Sequence, residues 1–534
     1  MILSYDGIRD AAAWRKAGIA LPAYDPRALA ERTKKEPRWV HFGIGNIFRI
    51  FLGGVADTLI ESGDMDTGVT CVETFDYDVV DRIYRPFDNL ALAVTLHSGG
   101  RQDRRVLGSL TEAVKAPMDW ARLREIFTAQ SLQMVTFTIT EKGYALRGAD
   151  GKYLTHVRAD MENGPSRAGS AMGVVTALLY ERWRVGGAPL ALVSMDNVSH
   201  NGEKLRRSVL ETANVWTRKG YTEAEFLTYV GDERRISFPW TMIDKITPRP
   251  GEAVRDTLTA AGVENMDVVV TSRKTYIAPF VNAEAPQYLV VEDSFPNGRP
   301  PLEKAGVYMT DRETVNKSER MKVTVCLNPI HTALCTYDRL LGYELFADGM
   351  RDTDLKELAR QVGYVEGLPV VEDPGILSPR AFLDELMAER FPNPYLGDTA
   401  ARIAVDVSQM VGIRFGENIK AYVAREGSAA RLTAIPLAIA GWLRYLLAVD
   451  DNGKPFELSP DPMLTELTAA LQGVAFGRPE SLREQLRPIL TNERIFGIDL
   501  YQAGVGEKIE TMFRAQFAGV GSVRETLHRY LFAS

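Results

Sequence analysis

The sequence predicts two domains of different class: an α/β domain with a parallel sheet, then a mainly α-helical domain. Three observations carry this. Short apolar runs alternate with helical patterns between about 37 and 200, as in Trp39-Val40-His41-Phe42, Met134-Val135-Thr136-Phe137-Thr138-Ile139 and Leu190-Ala191-Leu192-Val193-Ser194-Met195. Such alternation argues for parallel strands covered by helices. The first run leads directly into Gly43-Ile44-Gly45 and then a helical pattern (Ile50, Phe51, Val55, Leu59). After about 320 the spacing is mostly helical: 353–362 and 378–391 are amphipathic, and 434–449 is almost wholly apolar, with Arg444 its only charge. At 534 residues the chain is too long for one core.

Residues 1–36 are polar and read as a surface extension, with Leu21-Pro22-Ala23-Tyr24-Asp25-Pro26 an extended piece. The strand, glycine turn and helix that follow suit a Rossmann-type dinucleotide-binding domain, because exposed amides and the positive helix end accept a pyrophosphate. The third glycine of the usual fingerprint is missing, since Phe48 stands there. A lone Gly-x-Gly is equally a structural turn. The candidate cofactor contacts are Gly43, Gly45, Asn46, Ile47, Phe48 and Arg49, with Glu73 as the acid that holds the adenosine ribose and Asp76 close behind. Glu73 comes later than the usual spacing of about 20 residues. No Arg or Lys immediately follows it, which favours NAD(H) over NADP(H). Val268-Val269-Val270 and Tyr288-Leu289-Val290-Val291 read as strands that extend the sheet. Pro296-Asn297-Gly298-Arg299-Pro300-Pro301 is the strongest loop signal, so the domains are placed at 1–300 and 301–534.

A net charge of −7 shows no footprint for nucleic acid or a polybasic membrane patch. No apolar stretch reaches the ~18 residues of a membrane span, and the start resembles no signal peptide. Three cysteines (Cys71, Cys326, Cys335) and six histidines argue against a disulfide framework or a zinc site. A metal-free, cytoplasmic protein is expected, monomeric or a small homo-oligomer, with a small molecule as its partner.

Polar residues gather in five places. Lys322-Val323-Thr324-Val325-Cys326-Leu327-Asn328-Pro329-Ile330-His331 puts an amine, an amide and an imidazole into an apolar stretch. Buried polar groups need partners, so this is either a pocket or a polar cluster pinning a helix end. Thr138-Ile139-Thr140-Glu141-Lys142-Gly143-Tyr144 follows a strand, at the sheet edge where ligands bind, and makes Thr140 and Glu141 candidate cofactor contacts. A capped glycine turn is the plainer reading. Asp196-Asn197 through Asn201-Gly202 closes another strand. Asn197 can donate to a substrate carbonyl, while Asp196 or Ser199 can simply cap a helix. Asp244 lies in an apolar frame beside Lys245, its plain partner. Arg402 can fork onto a carboxylate or hydroxyls, although a lone helical Arg is more often a surface residue.

In order, these segments resemble the polyol-specific long-chain dehydrogenase family, that of the mannitol dehydrogenases. The motifs are Gly-x-Gly-x-x-x-Arg at 43–49, Thr-x-Thr-Glu-Lys-Gly-Tyr at 138–144, Asp-Asn…Asn-Gly at 196–202, Phe-Pro…Asp-x-Ile-Thr-Pro at 238–248 and Leu-Asn-x-x-His at 327–331. The resemblance spans roughly residues 37–450 and implies hydride transfer without a metal. It implies Lys322 as catalytic base or acid, Asn197 and Asn328 as the oxyanion-binding pair, His331 as a substrate contact, and Asp244 and Arg402 as site residues. Two departures stand out. Lys322 and Asn328 are six residues apart where the family has five, and an extra residue turns a helix by about 100°. Either a π-bulge absorbs it, or Asn328 caps the helix and Lys322 approaches on extended chain. Met410 stands where the family often carries a Lys, so Arg414 is a candidate to supply that contact.

The expected chemistry is reduction of a ketose-type sugar acid by NADH. Asn197 and Asn328 would stabilise the developing oxyanion, and Lys322 would donate the proton. In the oxidative direction the same amine needs its proton affinity lowered, which burial among Val323, Val325 and Leu327 would do. A hexuronate such as D-fructuronate is the first expectation, on the wording Cys-Leu-Asn-Pro-Ile-His-Thr-Ala-Leu. D-fructose and D-tagaturonate are alternatives, and a non-catalytic NAD- and sugar-acid-binding protein is the reading from a different class.

Overall fold

Strands buried on both faces need apolar residues at every position, which is why the central strands read as unbroken runs. The computed structural model describes residues 1–116 and 118–532. It divides into two units, Met1–Asn316 and Lys317–Ser534.

In the first unit, six strands form one parallel sheet: β1 (Trp39–Phe42), β2 (Val69–Glu73), β3 (Leu110–Lys115), β4 (Met134–Phe137), β5 (Leu190–Ser194) and β6 (Ile236–Ser237). Their order is β3-β2-β1-β4-β5-β6. This is the doubly wound dinucleotide-binding order, with its switch point between β1 and β4. Alternate side chains feed two cores. Val40, Phe42, Val135, Phe137 and Leu192 face one, and Trp39, Met134, Ala191 and Val193 face the other. The turn after β1 and the segment after β4 therefore stand side by side at the carboxyl edge.

Three expectations need correction. Residues 1–36 are not a surface extension. Leu3, Trp14 and Ile19 are buried against Leu92, Val94 and Phe280, and Ile19–Ala20 pairs with Gln102–Leu107 in a separate four-stranded sheet. The strands near 268 and 288 do not extend the parallel sheet either. Among the described residues Val269–Val270 pairs only with Tyr276–Ile277, and Tyr288–Glu292 runs antiparallel to Thr241–Asp244. The division falls after Asn316 rather than at 300, because Tyr308–Thr310 returns to pair with Tyr288–Glu292.

The second unit is helical. Its middle is α1 (Asn328–Leu341) against α2 (Ala434–Tyr445), all of whose residues are buried. Tyr337 Oη donates to the Leu437 carbonyl at 2.7 Å. The Arg444 guanidinium is fully buried and donates to the carbonyls of Gln516, Val449 and Asp450. A distant residue caps α2: Glu366 accepts the amides of Thr433, Ala434 and Ile435 with its two oxygens. A carboxylate at a helix N-terminus is stabilising there. No helix among the described residues is long and apolar enough to cross a membrane.

Candidate active site

Gly43 has φ +88°, and a Cβ there would stand 2.1 Å from the Thr138 carbonyl oxygen. Only glycine fits so close an approach of the turn to the end of β4. Gly45 is different: a Cβ there would meet nothing within 4 Å. The open space beside it and the helix that begins at once fit a pyrophosphate held on backbone amides. Asn46 and Ile47 are half-buried at this start. The Phe48 and Arg49 side chains lie inside the unit. Phe48 stacks on His41 with centroids 3.9 Å apart, and Arg49 donates to the Pro279 carbonyl at 2.9 Å. Each can meet a nucleotide through its backbone only.

Beneath the turn runs a hydrogen-bond chain that sequence reading missed. Trp39 Nε1 donates to Thr136 Oγ1, which lies 2.6 Å from His41 Nδ1; His41 Nε2 lies 2.8 Å from Thr138 Oγ1, which donates to the Gly43 carbonyl. Every step is satisfied when Thr136 donates to Nδ1 and Nε2 carries the proton. Burial pushes the His41 pKa down to about 3, so the ring is neutral. The signal for it was visible in principle: a histidine inside a fully buried strand, facing one threonine on the neighbouring strand and another just past its end.

Glu73 ends β2, the position from which an acid reaches the ribose in this fold. One carboxylate oxygen accepts the amides of Thr74, Phe75 and Asp76, and the backbone at Ile44 in the glycine turn also bonds the carboxylate. Burial raises its pKa, and those amides oppose the rise. Asp76 is tied instead to the Thr271 and Thr275 hydroxyls.

Asp196 joins the ends of β4 and β5. It accepts from the Ile139 amide at 2.9 Å, the Thr140 amide at 3.0 Å and Tyr144 Oη at 2.6 Å. This fixes the exposed Asn197 beside Thr140. Thr140 has φ +61°, a left-handed conformation that strains a β-branched residue by about 1–3 kcal/mol. Glu141 is exposed and pairs with Lys204. Asn201 bridges to Thr241 in both directions, and Gly202 lies where a Cβ would meet Trp240 at 2.4 Å. Asp196, Asn201 and Gly202 thus position the segment that carries Asn197. Asp244 is buried at the end of Thr241–Asp244, while Lys245 Nζ donates to the Glu284 carbonyl.

In the helical unit, Lys322 is 2% exposed and stands on a π turn, Met321–Cys326. The Leu327 amide bonds the Lys322 carbonyl five residues back, so the bulge takes up the extra residue. The alternative of an extended approach with Asn328 as cap is not what forms: Leu327 is the cap and Asn328 opens α1. The Asn328 side chain makes no hydrogen bond among the described residues. Asn418 locks the turn, its amide donating to the carbonyls of Thr324 and Arg414.

His331, one turn along α1, is framed edge-on by Phe346 and Phe391, each at 5.0 Å. Burial drives its pKa well below the usual value, and Arg390, Arg414 and Arg402 push the same way. A neutral imidazole can both donate to and accept from sugar hydroxyls. The arginines differ. Arg402 is largely exposed and pairs with Asp398. Arg414 donates to Thr332 Oγ1 at 2.5 Å. Arg390 is buried and was not foreseen, although Phe382, Leu386 and Arg390 share i, i+4 spacing that carries it onto the inner face.

Comparison with known proteins agrees with this arrangement. The mannitol dehydrogenase Rossmann domain matches residues 37–304, and the mannitol dehydrogenase C-terminal domain matches 314–516. The chain is 50% identical over 533 residues to the D-mannonate oxidoreductase of Thermotoga maritima, covering 99% of this chain and 98% of that one. It is 28% identical to the D-mannonate oxidoreductase of Escherichia coli over 91% of this chain and 92% of that one. A substrate-free D-sorbitol dehydrogenase structure superposes with TM-score 0.77 at 25% identity, covering 96% of this chain and 98% of that one. Matched along both units, the chain belongs to the mannitol dehydrogenase family.

Proposed function

We propose that this protein is an NAD(H)-dependent, metal-independent oxidoreductase that reduces D-fructuronate to D-mannonate. One observation carries the substrate: full-length 50% identity to a D-mannonate oxidoreductase. The dinucleotide is assigned to the Gly43–Gly45 turn, the backbone from Asn46 to Arg49, Glu73, and the Thr140–Glu141 segment. Bound there, NADH supplies the hydride. The rest is the work of side chains. Asn197 and Asn328 donate amide hydrogens to the ketone oxygen as it gains charge, worth about 3–4 kcal/mol per donor in a dry site. Lys322 gives that oxygen its proton and recovers one from solvent; in reverse the neutral amine takes it back. His331 and Asp244 orient neighbouring hydroxyls, and one arginine beside His331 receives the anionic end. The reading places the enzyme in the cytoplasm, as a monomer or small homo-oligomer.

The test follows NADH absorbance with D-fructuronate, D-tagaturonate and D-fructose at matched concentration. Fast oxidation with D-fructuronate is the expected result. Preference for D-tagaturonate or D-fructose would replace the substrate, and NADH binding without turnover of any of them would sink the enzymatic reading.

A further inference from the structure

Three cations surround His331, and their charges are handled differently. Arg402 is answered by Asp398 four residues earlier. Arg390 is buried, and its charge also bears on Asp398. Arg414 is the exception. No carboxylate among the described residues pairs with it; burial lowers its pKa, and the Cys335 thiol opposes the shift. Its Nη1 is held by the Thr332 hydroxyl at 2.5 Å, its Nη2 rests on the Met410 sulfur at 3.3 Å, and its Nε is buried with no partner. A thioether is a weak acceptor. The Nε–Nη2 edge of the guanidinium, the edge that forks onto a carboxylate, is thus left with one orphan N–H and one poorly satisfied one. Thr332 sits next to His331 in α1, so the anchor of this guanidinium is built into the helix that carries the substrate contact.

From this geometry we infer that Arg414 reads the carboxylate of the substrate, through a two-pronged contact on its Nε–Nη2 edge that displaces the Met410 sulfur, and so sets selectivity for hexuronates over neutral hexuloses. Arg402 is a positioning residue that holds Asp398 and takes no direct part in the discrimination. The inference rests on the hexuronate reading above and assigns its specificity to one side chain.

The experiment compares kcat/KM for D-fructuronate and for D-fructose, which has a hydroxymethyl group in place of the carboxylate. Wild type, R414M, R414K and R402M are measured, with NADH titration by fluorescence to confirm a folded cofactor site. R414M should lose at least about 100-fold for D-fructuronate, chiefly in KM, and far less for D-fructose, so the ratio collapses. R414K should fall by about tenfold, because an ammonium cannot form the fork. R402M should leave the ratio within about threefold of wild type. A preserved ratio in R414M, or a ratio that collapses in R402M instead, overturns the inference while leaving the hexuronate reading intact. If R414M does not fold, R414K decides alone: an unchanged ratio overturns the inference. A wild type that does not prefer D-fructuronate overturns the reading and the inference together.

Discussion

The turn after β1 and the turn that carries Lys322 invite comparison. Both open a helix and both contain a π turn, Phe48–Leu52 in one and Met321–Cys326 in the other. The first is fixed by residue identity: Gly43 is required by its φ and by the Thr138 carbonyl against it. The second is fixed by spacing. No residue of Met321–Cys326 stands at positive φ; the Leu327 amide closes the bulge on the Lys322 carbonyl, and Asn418 locks it. A constraint on identity leaves a mark on the sequence. A constraint on register shows only as an offset that looks wrong until the π turn is seen.

If the bulge exists to aim Lys322, the largest effect of any single change should be at that amine. Lys322→Ala is expected to lower kcat by about 10²–10⁴-fold, the range of a general acid. NADH affinity, which we assign to the other turn, should stay within about twofold. Stopped-flow turnover beside a fluorescence titration separates the two. Retained turnover would mean that the shifted register has retired this lysine.

The reverse pattern belongs to the glycine turn. Gly43→Ala forces a Cβ into the Thr138 carbonyl and strains the backbone, a loss of about 2–4 kcal/mol of stability by such mechanisms. Because β1 and β4 must part to relieve the clash, NADH affinity should fall with stability, while residual turnover per bound NADH stays near wild type. A variant that melts like wild type would show that the turn is softer than its geometry implies.

What could be read in advance follows the same line. The parallel sheet was legible from runs such as Met134 to Phe137, because burial on both faces leaves no polar position. The Gly43 turn and the burial of Lys322 were legible because glycine turns and polar groups in apolar frames are costly and rare. The role of residues 1–36 was not, since Leu3 and Trp14 are isolated apolar residues whose partners, Leu92 and Phe280, are far along the chain. That the Phe48 and Arg49 side chains turn inward was not legible, because a motif names positions without saying which way their side chains point. Arg390 was hidden by its type: an arginine on an otherwise apolar face is normally taken for a surface residue.

The smallest predicted effect concerns what supports the glycine turn. His41 is neutral in the folded protein, with its pKa lowered to about 3 by burial, and His331 is lowered as well. In the unfolded chain both titrate near 6.5. Below that pH the unfolded state binds protons that the folded state refuses, so stability is complete above about 6.5 and declines as pH falls toward 3, by up to about 1.4 kcal/mol per pH unit for each group. His41→Gln keeps polar atoms near Thr136 and Thr138 but removes one titration. The urea midpoint of this variant should therefore fall less steeply than that of wild type between pH 6.5 and 5, whatever its absolute stability. His331 and the buried carboxylates Asp338, Glu73 and Glu366, whose pKa values burial raises, contribute to the slope that remains. If the two slopes are the same, His41 is already protonated in the folded state, and the hydrogen-bond chain under Gly43 carries a charge instead of a neutral ring.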